Sequence, residues 1–151
     1  MTFDLDRFAR AQGGANAFVH AIGEMNAGAK RSHWIWFVFP QLAGMGSSPM
    51  AKMYGLHGVE EATAYLRERT LRDRLLTAMN AVRQQPVPLH TLMGSQIDVL
   101  KLVSSMTLFR EVARRLKDVD VAEAADEILR AAKREGFAEC EFTLRACARE
   151  Q

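Results

Sequence analysis

Apolar residues recur at helical spacing along most of the chain. Phe18, Val19, Ile22 and Met25 fall on one face of a helix that ends near Gly28. The same kind of spacing predicts further helices over residues 49–54, 59–67, 71–83 and 121–134. The pattern is therefore that of a helical protein.

Side chains that commonly cap helix N-termini mark where these helices begin. Such a residue stands before five helical segments, at Asp4, Ser48, Thr70, Ser95 and Asp120. Nearly every boundary signal is a helix signal, so we predict an all-α fold. We expect a compact helical bundle of about six to eight helices.

One segment departs from this pattern. Residues 34–39 read Trp-Ile-Trp-Phe-Val-Phe, which intrinsic propensity alone assigns to a β-strand. Both faces of such a strand would be apolar, and the chain offers no identifiable partner strand. We interpret the segment as a buried helical turn or an extended core segment.

Length and composition narrow the class of protein. The chain has 151 residues, of which 48% are apolar and 25% charged, and we expect residues 1–151 to form one domain. This composition excludes collagen-like, disordered and disulfide-framework proteins. The net charge of +2 is too small to indicate a nucleic-acid partner. No segment approaches the roughly 18 apolar residues of a membrane span, and no apolar signal region is present, so we expect a cytosolic protein with no membrane partner.

The two cysteines are predicted to be free thiols. Cys140 and Cys147 lie seven residues apart in a helical tail. Helical rise separates their Cα atoms by about 10 Å, whereas a disulfide allows at most about 7 Å. The chain has no CxxC motif and no paired histidines, so we expect neither a metal site nor another cofactor.

Acidic residues are unevenly distributed. None occurs between Glu24 and Glu60, and Asp98 is the only one between Arg74 and Arg110. If these two stretches meet in space, they form a small positive pocket suited to a phosphate or a carboxylate. The alternative is that they lack acids simply because they are buried.

The first stretch, residues 30–42, places four hydrogen-bond donors directly before the aromatic block. Arg31 can hold an oxyanion through two parallel hydrogen bonds, and His33 can accept and return a proton near neutral pH. The candidate ligand-binding residues here are Lys30, Arg31, Ser32, Trp34, Trp36 and Gln41. The alternative is that the aromatic block belongs to the core and that His33 bonds to backbone.

The second stretch, residues 94–109, is predicted to be a helix that is apolar around most of its circumference. Asp98, Lys101 and Ser105 fall within an arc of about 60°. Such a helix is largely buried, so its few polar residues need partners inside the protein or on a ligand. The candidate binding residues are Lys101, Ser104, Ser105 and Thr107, with Asp98 as a partner of His33 in proton transfer. The alternative is an ion pair between Asp98 and Lys101, with the hydroxyls bonded back to helix carbonyls.

Residues 30–42, 48–51 and 98–109 resemble the signature blocks of the domain of unknown function family 1810, often labelled calpastatin-like. The resemblance extends over nearly the whole chain and implies a compact all-α domain with no established activity. Nothing in the chain resembles a disordered protease-inhibitor repeat. Many members carry a proline and a second aspartate after the position of Gly94, where this chain has Gln96 and Ile97.

These observations support one leading hypothesis. The chain binds a small anionic, phosphate-bearing ligand through Arg31, Lys30 and Lys101, with a tryptophan against its organic part. His33 and Asp98 would then move protons in hydrolysis or group transfer. The alternative is a non-catalytic protein-interaction module in which the motif residues serve the core. Nucleic-acid binding is disfavoured because no basic stripe with exposed aromatic residues is present.

Overall fold

The structure is a computed structural model that describes residues 2–150. Within this range it contains ten α-helices, one 3₁₀ turn at Gly14–Asn16, and no β-strand. The helices are α1 (Asp6–Gly13), α2 (Ala17–Asn26), α3 (Ile35–Val38), α4 (Pro49–Tyr54), α5 (Gly58–Arg67), α6 (Arg69–Arg83), α7 (Leu89–Met93), α8 (Gln96–Leu116), α9 (Val119–Arg134) and α10 (Glu141–Arg149). The predicted all-α class is confirmed. Seven of the helices have eight residues or more, and α3, α4 and α7 are shorter.

The longest helix, α8, runs through the centre of the molecule. It packs against α3, α5, α7, α9 and α10. Every residue from 102 to 110 is buried, as expected for a helix that is apolar around most of its circumference. The prediction of a largely buried helix in the second acid-poor stretch is therefore confirmed.

The aromatic segment 34–39 contains a single helical turn, α3. The amide of Val38 donates to the carbonyl of Trp34 at 3.0 Å, and the amide of Phe39 donates to the carbonyl of Ile35. No β-strand lies beside this segment within residues 2–150; the amides of residues 37–39 bond locally, and the carbonyl of Phe37 accepts from the Gln12 side chain at 2.8 Å. Of the two interpretations of the segment, the helical turn is the one observed.

Two of the predicted helix caps are present. The Ser48 hydroxyl accepts a hydrogen bond from the amide of Ala51 at the start of α4. The Ser95 hydroxyl accepts one from the amide of Asp98 at the start of α8. In both cases a short side chain next to the helix satisfies an amide of the first turn.

The other three predicted caps are wrong. No side chain caps α1, and the carboxylate of Asp4 pairs with Arg10 instead. The cap of α6 is Glu68 rather than Thr70, because α6 begins at Arg69. The cap of α9 is Asp118 rather than Asp120, and the Asp118 carboxylate is also held by Arg72 across the helix pair.

The two cysteines and the apolar character of the helices are the remaining features of the fold. Cys140 and Cys147 are free thiols, as predicted; Cys140 stands directly before α10 and Cys147 lies within it. Among residues 2–150, no helix has both the length and the apolar character that crossing a bilayer requires.

Candidate functional site

A cleft of about 610 Å³ opens between α3 and the N-terminal half of α8. The loop after α3, the start of α4 and the segment before α10 complete its walls. Four of the predicted ligand-binding residues line it, namely Trp36, Gln41, Lys101 and Ser104. We refer to it as the α3–α8 cleft. A larger depression of about 1000 Å³ lies beside α5, but none of the predicted site residues lines it.

The two acid-poor stretches meet next to this cleft. The Lys30 ammonium lies 2.8 Å from Asp98 Oδ2, and the Lys101 ammonium lies 3.6 Å from Asp98 Oδ1. The Lys30 side chain is 7% exposed and the Lys101 side chain 22% exposed. In this Lys30–Asp98–Lys101 cluster, two positive charges share one negative charge. The predicted Asp98–Lys101 ion pair is present, together with a closer partner for Asp98.

Each lysine of the cluster also stands over a tryptophan ring. The Lys30 ammonium is 5.2 Å from the centre of the Trp34 ring, and the Lys101 ammonium is 5.0 Å from the centre of the Trp36 ring. Both distances allow a cation–π attraction. The aromatic block therefore forms part of the surroundings of both lysines.

The two indole N–H groups have different environments. Trp34 Nε1 donates to Glu24 at 2.9 Å. Trp36 Nε1 is buried and has no hydrogen-bond partner among the described residues. Because a buried indole N–H usually finds an acceptor, Trp36 is an exception that calls for an explanation.

Glu24 organises the loop before α3, and sequence reasoning missed it. Its carboxylate accepts hydrogen bonds from the Arg31 amide, the Ser32 amide, the Ser32 hydroxyl and Trp34 Nε1. Burial alone would raise the pKa of Glu24, but these donors, the Ser32 hydroxyl first, outweigh burial and lower the pKa to about 2. The only sequence signal was that Glu24 is the last acid before the first acid-poor stretch. We call residues 24–34 the Glu24 loop.

Two of the predicted ligand-binding residues have their polar atoms bound within the Glu24 loop. The hydroxyl of Ser32 and the indole N–H of Trp34 are both engaged by Glu24. Their polar atoms therefore stabilise the fold, in line with the alternative that these motif residues serve the core.

Arg31 and His33 have no side-chain hydrogen bond or ion pair to the Lys30–Asp98–Lys101 cluster. Both side chains are exposed, and neither makes a side-chain hydrogen bond or ion pair within the described part of the chain. The Asp98 carboxylate is held by two lysines, and no contact joins it to His33. Proton transfer by His33 and Asp98, and anion binding by Arg31, stay predictions.

The three hydroxyl residues predicted on α8 differ in their surroundings. Ser104 is 4% exposed, lines the α3–α8 cleft, and its hydroxyl has no partner among residues 2–150. Ser105 is fully buried, does not line the cleft, and its hydroxyl also lacks a partner there. Thr107 Oγ1 donates to the carbonyl of Val103 at 2.8 Å and accepts from the amide of Cys140 at 3.3 Å. Back-bonding to the helix therefore occurs at Thr107, whereas Ser104 is left facing the cleft.

Sequence reasoning also missed two residues of the cleft wall, Glu139 and Cys140. The Glu139 carboxylate is paired with Arg110, whose hydrogen bond lowers the pKa of Glu139. Of the two charged residues that line the cleft, Lys101 thus has only a shared counter-ion. No group of three or more His, Cys, Asp or Glu side chains that could hold a metal ion occurs among residues 2–150.

A family model and a solved structure both match this chain. A family model described as "Protein of unknown function (DUF1810)" matches residues 2–135. The chain is similar to the conserved hypothetical protein Rv1873 from Mycobacterium tuberculosis, a crystal structure, at 39% identity and a TM-score of 0.76. The similarity covers 95% of each of the two chains. Among curated proteins, none matches the chain.

Proposed function

The chain belongs to the DUF1810 family of unknown function, and from its own geometry we propose that it binds a small organic anion in the α3–α8 cleft. The expected ligand is a phosphate ester, as the sequence predicts. Lys101 holds its anionic group, and Trp36 packs against its organic part. The volume of about 610 Å³ falls in the range typical of small-molecule sites.

One observation carries this proposal, namely that two lysines share Asp98 unequally. Lys30 approaches Asp98 to 2.8 Å and is the more deeply buried of the two lysines. Lys101 stands at 3.6 Å and lines the cleft. Because Lys30 already balances the carboxylate, Lys101 retains N–H donors and positive charge for a ligand.

The surface next to Lys101 suits the organic part of the ligand. Ile97 and Leu100 line the same cleft and are 64% and 53% exposed. The hydroxyl of Ser104, which lines the cleft, adds a polar group that has no partner among the described residues. An apolar wall with a few convergent polar groups is the usual composition of a ligand site.

The proposal is limited to binding. His33 has no side-chain partner in the described part of the chain, so the geometry assigns it no proton transfer step. The cytosolic location, the absence of a cofactor and the absence of a nucleic-acid partner stay predictions.

Calorimetric titration with phenyl phosphate tests the proposal. We expect phenyl phosphate to bind the wild type, and Lys101→Met to weaken binding at least tenfold, which is about 1.4 kcal/mol. Lys101→Met should still fold, because its ion pair is partly exposed and methionine keeps most of the unbranched side chain.

Two controls make this titration specific. Lys133→Met removes an exposed lysine outside the cleft and should leave the affinity unchanged. Inorganic phosphate should bind more weakly than phenyl phosphate if the apolar wall contributes. Equal affinity of the wild type and Lys101→Met, or no binding of phenyl phosphate at millimolar concentration, would overturn the proposal.

The exposure of Ile97 and Leu100 also favours a second candidate, a protein-interaction module that uses this rim. This was the alternative drawn from the sequence. With this function, none of the anions would change the melting temperature, and Lys101→Met would have no binding to lose.

A further inference from the structure

The α3–α8 cleft contains a thiol that the proposed function does not use. Cys140 lines the cleft and is partly exposed. It lies beyond residues 2–135, the part of the chain that the family model matches. Its position is fixed by the contacts of the segment before α10.

Two fully buried threonines hold Cys140 in place. The Cys140 amide donates to Thr107 Oγ1 on α8 at 3.3 Å. Thr143 Oγ1 donates to Cys140 Sγ at 3.2 Å. The preceding residue, Glu139, is anchored to α8 by its ion pair with Arg110. The sulfur is therefore a positioned group on the cleft wall rather than one that moves freely in solvent.

An independent observation indicates that the cleft receives a ligand beside this thiol. Ser104 is 4% exposed, and its hydroxyl has no partner within residues 2–150 although it lies on the wall of the cleft. A largely buried hydroxyl normally has a partner, so the Ser104 hydroxyl is left able to bond a group that enters the cleft.

The second cysteine provides an internal contrast. Cys147 is 2% exposed, and it lies outside the α3–α8 cleft. Burial raises the pKa of the Cys147 thiol, which disfavours the thiolate form that reacts. The two thiols of the chain should therefore differ strongly in reactivity.

We propose that Cys140 is a site of thiol–disulfide exchange with disulfides of small anionic thiols. The Cys140 thiol first loses its proton to solvent, and the thiolate attacks one sulfur of the disulfide RS–SR. A bond forms between Cys140 Sγ and that sulfur, the original S–S bond breaks, and RS⁻ leaves and takes a proton from solvent. The disulfide is the oxidant, and Cys140 is the group oxidised.

Charge in the cleft selects the anionic disulfides. Lys101 lines the same cleft with only a share of Asp98, whereas Glu139 is balanced by Arg110. A carboxylate on the incoming disulfide can pair with Lys101 while its sulfur meets Cys140. This selectivity rests on the anion binding proposed above, but the thiol chemistry goes beyond it.

The test compares two aromatic disulfides on the folded protein by stopped-flow absorbance. One is the dianionic disulfide of thionitrobenzoate, and the other is the neutral dithiodipyridine. We expect Cys140→Ser to abolish the fast phase with both reagents and Cys147→Ser to retain it. Lys101→Met should slow the anionic reagent by about fivefold or more, an effect typical of local steering, and the neutral one by less than about twofold. Mass spectrometry should find a single adduct, on Cys140.

Different outcomes separate this inference from the proposed function. The inference fails if the folded protein reacts with the anionic reagent no faster than the denatured chain, or if Lys101→Met slows both reagents equally. Phenyl phosphate binding that depends on Lys101 would still uphold the proposed function in that case. Conversely, rapid and Lys101-dependent exchange at Cys140 without phenyl phosphate binding would uphold the thiol site and overturn the phosphate-ester ligand.

Discussion

The Glu24 loop and the α3–α8 cleft both take residues from the block 30–42, yet their polar groups differ in whether they have partners within the protein. In the loop, one carboxylate accepts four hydrogen bonds from three residues. In the cleft, the N–H of Trp36 and the hydroxyl of Ser104 have no partner among residues 2–150. Polar residues that look alike in the sequence therefore divide into a set bonded within the protein and a set with no partner in the described part of the chain.

The two tryptophans show this difference most directly. Trp34 is almost fully buried, and its N–H is bound by Glu24. Trp36, two residues later, is partly exposed and lines the cleft. Because α3 is a single helical turn, residues two positions apart point in different directions, and one faces the core while the other faces the cleft.

The strongest test of this comparison is the removal of the Glu24 charge. We expect Glu24→Gln to lower the free energy of unfolding by about 3 kcal/mol, because an amide cannot accept from all four donors and presents its own N–H groups to them. Thermal unfolding followed by circular dichroism should show a decrease of about 6–12 °C in Tm. Glu123→Gln is the matched control, since Glu123 is exposed and has no hydrogen bond within the described residues. Equal stability of the two variants would show that the Glu24 loop does not hold the fold.

The matched pair Trp34→Phe and Trp36→Phe gives the next largest effect. Trp34→Phe should cost about 2 kcal/mol, because it removes the hydrogen bond to Glu24 and part of a fully packed ring. Trp36→Phe should cost less than about 1 kcal/mol, since its N–H has no partner to lose, and should weaken phenyl phosphate binding. Urea unfolding measures the first effect and calorimetry the second. Equal destabilisation of the two variants would contradict the difference between the Glu24 loop and the cleft.

Acidification gives the smallest of the three effects. The pKa of Glu24 is lowered from 4.5 to about 2, so the folded state keeps this carboxylate ionised where the unfolded state protonates it. The stabilisation is fully present above pH 4.5 and is lost as the pH falls towards 2. Between about pH 5 and pH 3 the wild type should lose about 1–2 kcal/mol more than Glu24→Gln does, with solvent screening of a half-buried group included. Urea unfolding at each pH measures this difference, and parallel pH profiles of the two proteins would contradict it.

The local features of the fold could be predicted from the sequence, whereas those that depend on distant partners could not. Ser48 and Ser95 are recognisable as caps because each lies directly before its helix. Asp118 is not, because its carboxylate is fixed by Arg72, which lies 46 residues away in the chain on α6. The role of Glu24 depends on the turn at Gly28, whose φ of 86° is a left-handed conformation that favours glycine. Only after this turn do the amides of residues 31 and 32 return to Glu24.

In the candidate site, too, the features that depend on distant partners could not be predicted from the sequence. The lack of acids leaves open whether the stretches containing Lys30 and Asp98 meet in space, and in the structure these two side chains do meet at 2.8 Å. The sequence cannot show that His33, three residues from Lys30, faces solvent instead, because that depends on how the Glu24 loop folds back. Cys140 was missed because it reaches the cleft only through the packing of α10 against α8.

Because the two tryptophans lie in different regions, their indole N–H groups can serve as separate spectroscopic probes of the Glu24 loop and of the α3–α8 cleft. It contains two tryptophans in all, so an NMR spectrum of the protein labelled at indole nitrogen should contain two side-chain N–H signals. The Trp34 signal, held by Glu24, would follow the integrity of the loop and its acid titration. The Trp36 signal would respond to whatever enters the cleft. Folding and occupancy could then be read at the same time, from one sample, without any added probe.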